Sequence, residues 1–213
     1  MLITLNQLTG FTRTIEDWAV HNSLMYKLGY LYYRAVVQKE AALAGIRAED
    51  KVLCIGGGPC PFTGIIIHQL TRAPVTIIDQ DPASVDRACR IVHRLGLESG
   101  VQVRCQNGRD VDVREFSVIH LAMQVAPFRE VFQKVRENCR AEARILVRLP
   151  KVSLKCLYGD PDLSYFRGCR QIKHGRSRNI GSTALYVKAG KGYVQDTGYH
   201  SFGAISPSYH PSA

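Results

Sequence analysis

The segment that most constrains this chain is Cys54-Ile55-Gly56-Gly57-Gly58-Pro59-Cys60-Pro61-Phe62-Thr63-Gly64. It follows a β-branched run, Lys51–Ile55, that reads as a buried strand, and it precedes residues 61–71, which read as a helix. Glycines between a strand and a helix let the backbone turn sharply and approach a ligand without Cβ clashes. In open α/β sheets ligands bind beyond the carboxyl ends of the strands, so such a turn is a natural floor for one. Asp79 stands directly after the next strand, Pro74–Ile78, about twenty residues beyond the turn. A carboxylate there can accept both hydroxyl hydrogens of an adenosine ribose.

The alternation continues. Pro82–Leu95 reads as a helix with Asp81 as N-cap and Pro82 at its first position. Val101–Cys105, Phe116–Ala122 and Ala143–Leu149 read as strands, with a helix over Pro127–Cys139. These lengths suit βαβ crossovers and hence a mostly parallel sheet with helices on both faces. Gln171–His174 and Thr183–Lys188 read as a final antiparallel pair, with a short broken helix between 151 and 168. Before the first strand, residues 14–45 carry apolar positions at helical spacing, with Gly29 and Asn22-Ser23 as points where the helix could split. The expected division is an N-terminal helical cap or lid at 1–49, a Rossmann-like domain at 50–190 and a tail at 191–213.

Two nucleosides fit this plan, and the prolines separate them. A dinucleotide site expects G-x-G-x-x-G with amides aimed at a pyrophosphate. Here Pro61-Phe62 replaces the third glycine, and Pro59 and Pro61 remove N–H donors. S-adenosylmethionine (SAM) has no phosphate and tolerates that loss. The expected SAM contacts are Gly56, Gly57, Gly58, Pro59 and Thr63 in the turn, and Asp79 and Gln80 after the second strand. Asn107 and Gly108 at the third-strand exit, with Asp110 as an alternative to Asn107, would face the adenine edge. Ala122 at the fourth-strand exit would lie beneath the methionine part. His120, inside that apolar strand, reads as a core histidine.

Composition narrows the partners. The 28 basic and 18 acidic residues give a net charge of +10. Apart from a denser stretch from Arg167 to Arg178 they are scattered, and no aromatic-basic RNA motif accompanies them, so a small molecule is expected rather than nucleic acid. No apolar run reaches the ~20 residues a membrane span needs, and the N-terminus lacks a secretory pattern; the expected location is cytoplasmic. The seven cysteines include no C-x-x-C and read as reduced, buried thiols, with no metal site. The oligomeric state is left open.

The motifs also resemble a family. Gly56 to Thr63 is similar to the G-x-G-P-x-P-x-T turn of nicotianamine synthases and related opine-metallophore synthases. Asp79-Gln80-Asp81-Pro82-Ala83-Ser84 is similar to their D-x-D-P-S-A segment. Arg148 has a counterpart at the end of the fifth strand, and 174–188 is similar to the final strands, with Gly181-Ser182 where Asn-Ser is usual. The resemblance spans about 50–190 and implies a class I methyltransferase fold. It also implies a different reaction from methylation: an amine attacks the γ-carbon of SAM, the 3-amino-3-carboxypropyl arm is transferred, and methylthioadenosine leaves. In a minimal variant SAM's own amine attacks, giving azetidine-2-carboxylate. The alternatives are a small-molecule methyltransferase releasing S-adenosylhomocysteine, and an RNA-modifying or nucleotide-binding protein. The short N-terminal portion suits a small substrate or SAM alone.

The tyrosines of the first helix are the expected lid. Tyr30, Tyr32 and Tyr33 are candidate catalytic residues, one ring holding the sulfonium by cation–π attraction worth about 0.5–2 kcal/mol. Neighbouring helical residues diverge by about 100°, so not all three can face the site. Glu16, Asp17 and Glu40 are the available bases; the sequence singles out none.

Overall fold

The computed structural model describes residues 23–151, 163–175 and 179–189. The expectations for residues 14–22, for most of the 151–168 segment and for the tail lie outside them. Helix α1 (Ser23–Ala44) is followed by β1 (Val52–Ile55), α2 (Phe62–Thr71), β2 (Val75–Asp79), α3 (Pro82–Arg94) and β3 (Val101–Cys105). Then come β4 (Val118–Leu121), α4 (Phe128–Asn138), β5 (Arg144–Pro150), a 3-10 turn (Leu163–Phe166), β6 (Arg170–Lys173) and β7 (Ile180–Val187).

The seven strands form one sheet in the order β3-β2-β1-β4-β5-β7-β6. The first five are mutually parallel, and β7 runs antiparallel between β5 and β6. The chain leaves β1 toward β2 on one side and later returns to place β4 on the other. That reversal, beside the glycine turn, is the switch point at which α/β sheets open a crevice.

Each face of the sheet buries its own apolar cluster. On one face α1, α2 and α3 cover Val52, Cys54, Val75, Ile77 and Leu146. On the other α4 and the 3-10 turn cover Leu53, Ile55, Ile119, Leu121 and Val147. Period-2 alternation therefore sends Asp79, His120 and Arg148 to the α1 side, with Cys54, Ile77 and Leu146.

Helix α1 runs unbroken through Gly29. A Cβ there would lie 2.9 Å from Phe62 Cζ, so the glycine seats a ring instead of splitting the helix. Tyr26 and Tyr33 pack on that same Phe62 ring, with centroids 5.1 and 5.5 Å away. The helix ends in a Schellman motif: Ile46 N–H donates to Ala41 O at 3.0 Å and Gly45 N–H, at φ +59°, to Ala42 O at 3.2 Å. Arg144 then donates to the Ala44 and Gly45 carbonyls at 2.7 and 2.8 Å and pairs with Asp50. In α3 the Asp81 carboxylate accepts from Ala83 N–H at 3.2 Å and from Ser84 Oγ at 2.7 Å, as its N-cap position predicts.

The cysteines differ from their expected burial. Cys54, Cys60 and Cys139 are buried, but Cys89 and Cys105 are exposed and Cys169 is intermediate. Helix α3 buries Ala88, Ile91 and Val92, which leaves Cys89 on the opposite, wet side. Cys105 closes an edge strand with solvent beside it.

Candidate functional site

At the switch point a cavity of about 240 Å³ opens between the carboxyl ends of β1, β2, β4 and β5 and helix α1. Its floor is the glycine turn. Gly56 and Gly58 have φ of +82° and +62°, a region open to glycine and strained for other residues. A Cβ on Gly57 would come within 2.3 Å of Ile77 Cγ2, so the turn lies flush on β2. Pro59 and Thr63 continue the wall. The first amide of α2, Phe62 N–H, is turned back onto Cys60 O at 2.7 Å. With prolines at 59 and 61, few donors remain for a phosphate.

Asp79 forms one end of the cavity. Its Oδ2 accepts from Gly58 N–H at 2.8 Å and its Oδ1 from Asp81 N–H at 3.0 Å. Each oxygen keeps acceptor capacity, so the carboxylate is fixed yet still able to take hydroxyl donors. Gln80, Asn107 and Gly108 line the same end, and Ala122 lies near its middle. The loop holding Asn107 is shaped by its own side chain, whose Oδ1 accepts from Arg109 N–H at 2.9 Å. All ten residues expected around the nucleoside thus line one cavity, whereas Asp110 does not.

The three tyrosines separate. Only Tyr33 reaches the cavity. Tyr30 instead donates its hydroxyl to Gln69 Oε1 at 2.8 Å, and Tyr32 packs edge-on against Tyr33 with centroids 5.1 Å apart. The helix rotation that aims Tyr33 inward carries its neighbours away. The Tyr33 ring already stacks on Phe62, and the Arg148 guanidinium lies 5.5 Å from its centroid.

The other end of the cavity holds what the sequence had not connected. Glu40 of α1 has no exposed surface. Its Oε1 accepts from Arg148 Nε at 2.9 Å and Thr183 Oγ1 at 2.6 Å; its Oε2 accepts from Arg148 Nη2 at 2.8 Å. His120 Nε2 stands 3.4 Å from Oε2 without hydrogen-bond geometry. The Thr183 hydroxyl spends its hydrogen on Glu40, so His174 Nε2, 2.9 Å away, is assigned as a donor to it. Burial alone would raise the Glu40 pKa, but the charge and hydrogen bonds of Arg148 outweigh it and hold the carboxyl well below its ordinary range. The four acceptor directions of the carboxylate are thus occupied or crowded, which fixes Glu40 in place. Burial and the Arg148 charge push the His120 pKa down, favouring the neutral ring. Burial likewise pushes the Cys54 thiol up to about 12. Among the described residues no cluster of His, Cys, Asp and Glu is arranged to hold a metal ion.

Strand order, glycine turn and acid at the end of β2 together define a Rossmann-like fold of the class I methyltransferase type. The model of the nicotianamine synthase protein family matches residues 22–181, and the chain belongs to that family. Curated relatives are L-histidine 2-aminobutanoyltransferase of Yersinia pestis, 29% identical over 125 residues, and the enzyme of the same name from Pseudomonas aeruginosa, 25% identical over 160. The matches cover 59% and 73% of this chain but 46% and 59% of those proteins, so the chain spans about half the length of the curated relatives. Among solved structures, a mutant of MtNAS in complex with S-adenosylmethionine superimposes with a TM-score of 0.72 at 23% identity, over 87% of this chain and 74% of the other. An RNA methyltransferase from Salinibacter ruber in complex with S-adenosyl-L-homocysteine gives 0.55 at 16% identity, over 73% and 91%. These structural likenesses establish the shared fold. Among the described residues no helix is long and apolar enough to cross a membrane.

Proposed function

We propose that the chain is a SAM-dependent transferase that uses the aminocarboxypropyl arm of SAM. An amine lone pair attacks the γ-carbon, the bond from that carbon to sulfur breaks with its electrons passing to sulfur, and neutral methylthioadenosine departs. Membership of the nicotianamine synthase family is the observation that carries this reading. The cavity supports it: the Asp79 carboxylate keeps acceptor capacity for ribose hydroxyls, and the opposite end is walled by the buried Arg148 and His120. Enclosure orients the arm and keeps water from the sulfonium. The substrate is a small amine or SAM itself, whose own amine would close an azetidine ring. In this reading Tyr33 is the tyrosine at the reaction end, and Tyr30 and Tyr32 support the helix that carries it.

Product mass spectrometry on purified protein tests the proposal, first with SAM alone and then with amino acids including L-histidine, the amine in the relatives' name. Methylthioadenosine is the expected nucleoside. Azetidine-2-carboxylate without added amine would identify the cyclising version. S-adenosylhomocysteine would replace the proposal with methyl transfer.

A further inference from the structure

We infer that Arg148 is the anchor for the carboxylate of the SAM aminocarboxypropyl arm, and that Glu40 is the residue that positions it. This inference rests on the SAM reading above and assigns the end of the ligand that the glycine turn leaves unassigned.

Charge distinguishes the two ends of the cavity. Apart from neutral histidine, the charged groups lining the cavity among the described residues are Asp79, Asp81 and Arg148. A ligand with a carboxylate at one end therefore finds one cation, and it lies at the end opposite Asp79.

The donor geometry of Arg148 agrees with this. A guanidinium has five N–H groups in a rigid fork. Nε and Nη2 each give one to Glu40, which leaves both hydrogens of Nη1 and the outer hydrogen of Nη2. No hydrogen bond from these reaches a described residue, although the side chain is only 5% exposed. Among the described residues that is a nearly buried, partly unpartnered cation facing a cavity. Glu40, itself held by Thr183 and through it by His174, fixes the fork so that its free edge does not have to be ordered when a carboxylate arrives.

Strand register sets the span between the two ends. Ile78, Ile55, Leu121 and Val147 form one row across β2, β1, β4 and β5. Asp79 and Arg148 each stand one residue beyond that row, on the same face. Three strand spacings separate their backbones by about 14 Å. The inward reach of the two side chains reduces this to the scale of an arm running from ribose to carboxylate. The sulfonium then falls above β1 and β4, beside Ala122, with the γ-carbon on the Arg148 side.

The test is binding, not turnover. Dissociation constants are measured calorimetrically for S-adenosylhomocysteine, decarboxylated S-adenosylhomocysteine and methylthioadenosine, on the wild-type protein and on Arg148→Lys and the double variant E40L/R148M. The double variant removes the buried pair together and so leaves no unpaired charge. Wild-type protein is expected to bind S-adenosylhomocysteine at least about tenfold more tightly than its decarboxylated form, a factor worth about 1.4 kcal/mol. Both variants are expected to lose most of that preference and to hold methylthioadenosine within about threefold of wild type, under 1 kcal/mol. Equal wild-type affinity for the carboxylate-bearing and decarboxylated ligands overturns the inference while leaving the SAM reading intact. A preference that survives in the variants overturns it too. Failure of all three nucleosides to bind overturns the SAM reading and this inference with it.

Discussion

Strand β5 carries two arginines four residues apart, and each ties the sheet to a carboxylate at or just beyond helix α1. Arg144 pairs with Asp50 at the amino end of the strand and caps α1 through the Ala44 and Gly45 carbonyls. Arg148 pairs with Glu40 at the carboxyl end. The chemistry is the same and the surroundings are not. The Arg144 pair retains 24% and 12% exposure, and three of the five Arg144 N–H groups, both on Nη1 and one on Nη2, go to the protein itself. The Arg148 pair retains 5% and 0%, and its outer N–H groups face a cavity. A half-wet pair that also caps a helix is a clamp. A dry pair with donors to spare is costly to bury, and the proposed contact with a ligand carboxylate would offset part of that cost.

The largest expected effect comes from breaking the dry pair on one side. Glu40→Ala leaves the Arg148 charge buried and unpaired, and should cost about 3–5 kcal/mol of unfolding free energy in urea titrations. E40L/R148M should recover to within about 1 kcal/mol of wild type, since an apolar pair of similar volume avoids desolvating ions. If Glu40→Ala costs no more than a surface substitution, the pair is not buried as described.

Asp79→Ala should raise the dissociation constant for SAM at least about tenfold, because hydrogen bonds to a charged group contribute roughly 1.5–3 kcal/mol. Unchanged affinity would move the ribose elsewhere. Arg144→Ala should do the converse. Its loss should cost stability, about 1.5–3 kcal/mol at most since the pair is partly screened by water, and leave nucleoside affinity unchanged. A loss of binding in Arg144→Ala would erase the distinction between the two arginines.

Acid should expose the same contrast more gently. The folded state keeps His120 neutral below its ordinary pKa of 6.5, whereas the unfolded chain takes up that proton. Stability should therefore begin to fall as the pH drops through 6.5. The Glu40 carboxyl, depressed in the fold from 4.5, adds a second loss as the pH falls below that value. Urea midpoints measured against pH should show both slopes, and E40L/R148M should show a shallower lower one, since Asp50, whose carboxyl is held down against burial by the Arg47 amide, Ser117 and Arg144, still contributes.

How much of this was legible beforehand follows from distance along the chain. The turn at Gly56–Gly58 and the acid at Asp79 are about twenty residues apart in one βαβ unit, and local chemistry dictates both. The strand exits at Asn107 and Ala122 follow once the alternation is read. Glu40 appeared merely available, because its partners Arg148 and Thr183 lie 108 and 143 residues away and only the assembled sheet brings them to α1. The signal open to inspection was an acid at Glu40 among the apolar positions Val36, Val37, Ala41 and Ala44, a place where an unpaired carboxylate does not persist. His120 was read as a core residue and is buried, yet it borders the cavity. The tyrosines show a related limit: composition marked the helix, but its rotation against Phe62 decides that Tyr33 and not Tyr30 or Tyr32 faces inward.

The most direct measurement is a crystal structure of the protein with S-adenosylhomocysteine bound, since this nucleoside keeps the amino acid arm and cannot react. Ribose hydroxyls are expected on the Asp79 carboxylate and the arm's carboxylate on the free edge of Arg148, with Glu40 unmoved beneath it. A ribose bound away from Asp79, or an arm running out of the cavity with Arg148 untouched, would contradict that placement.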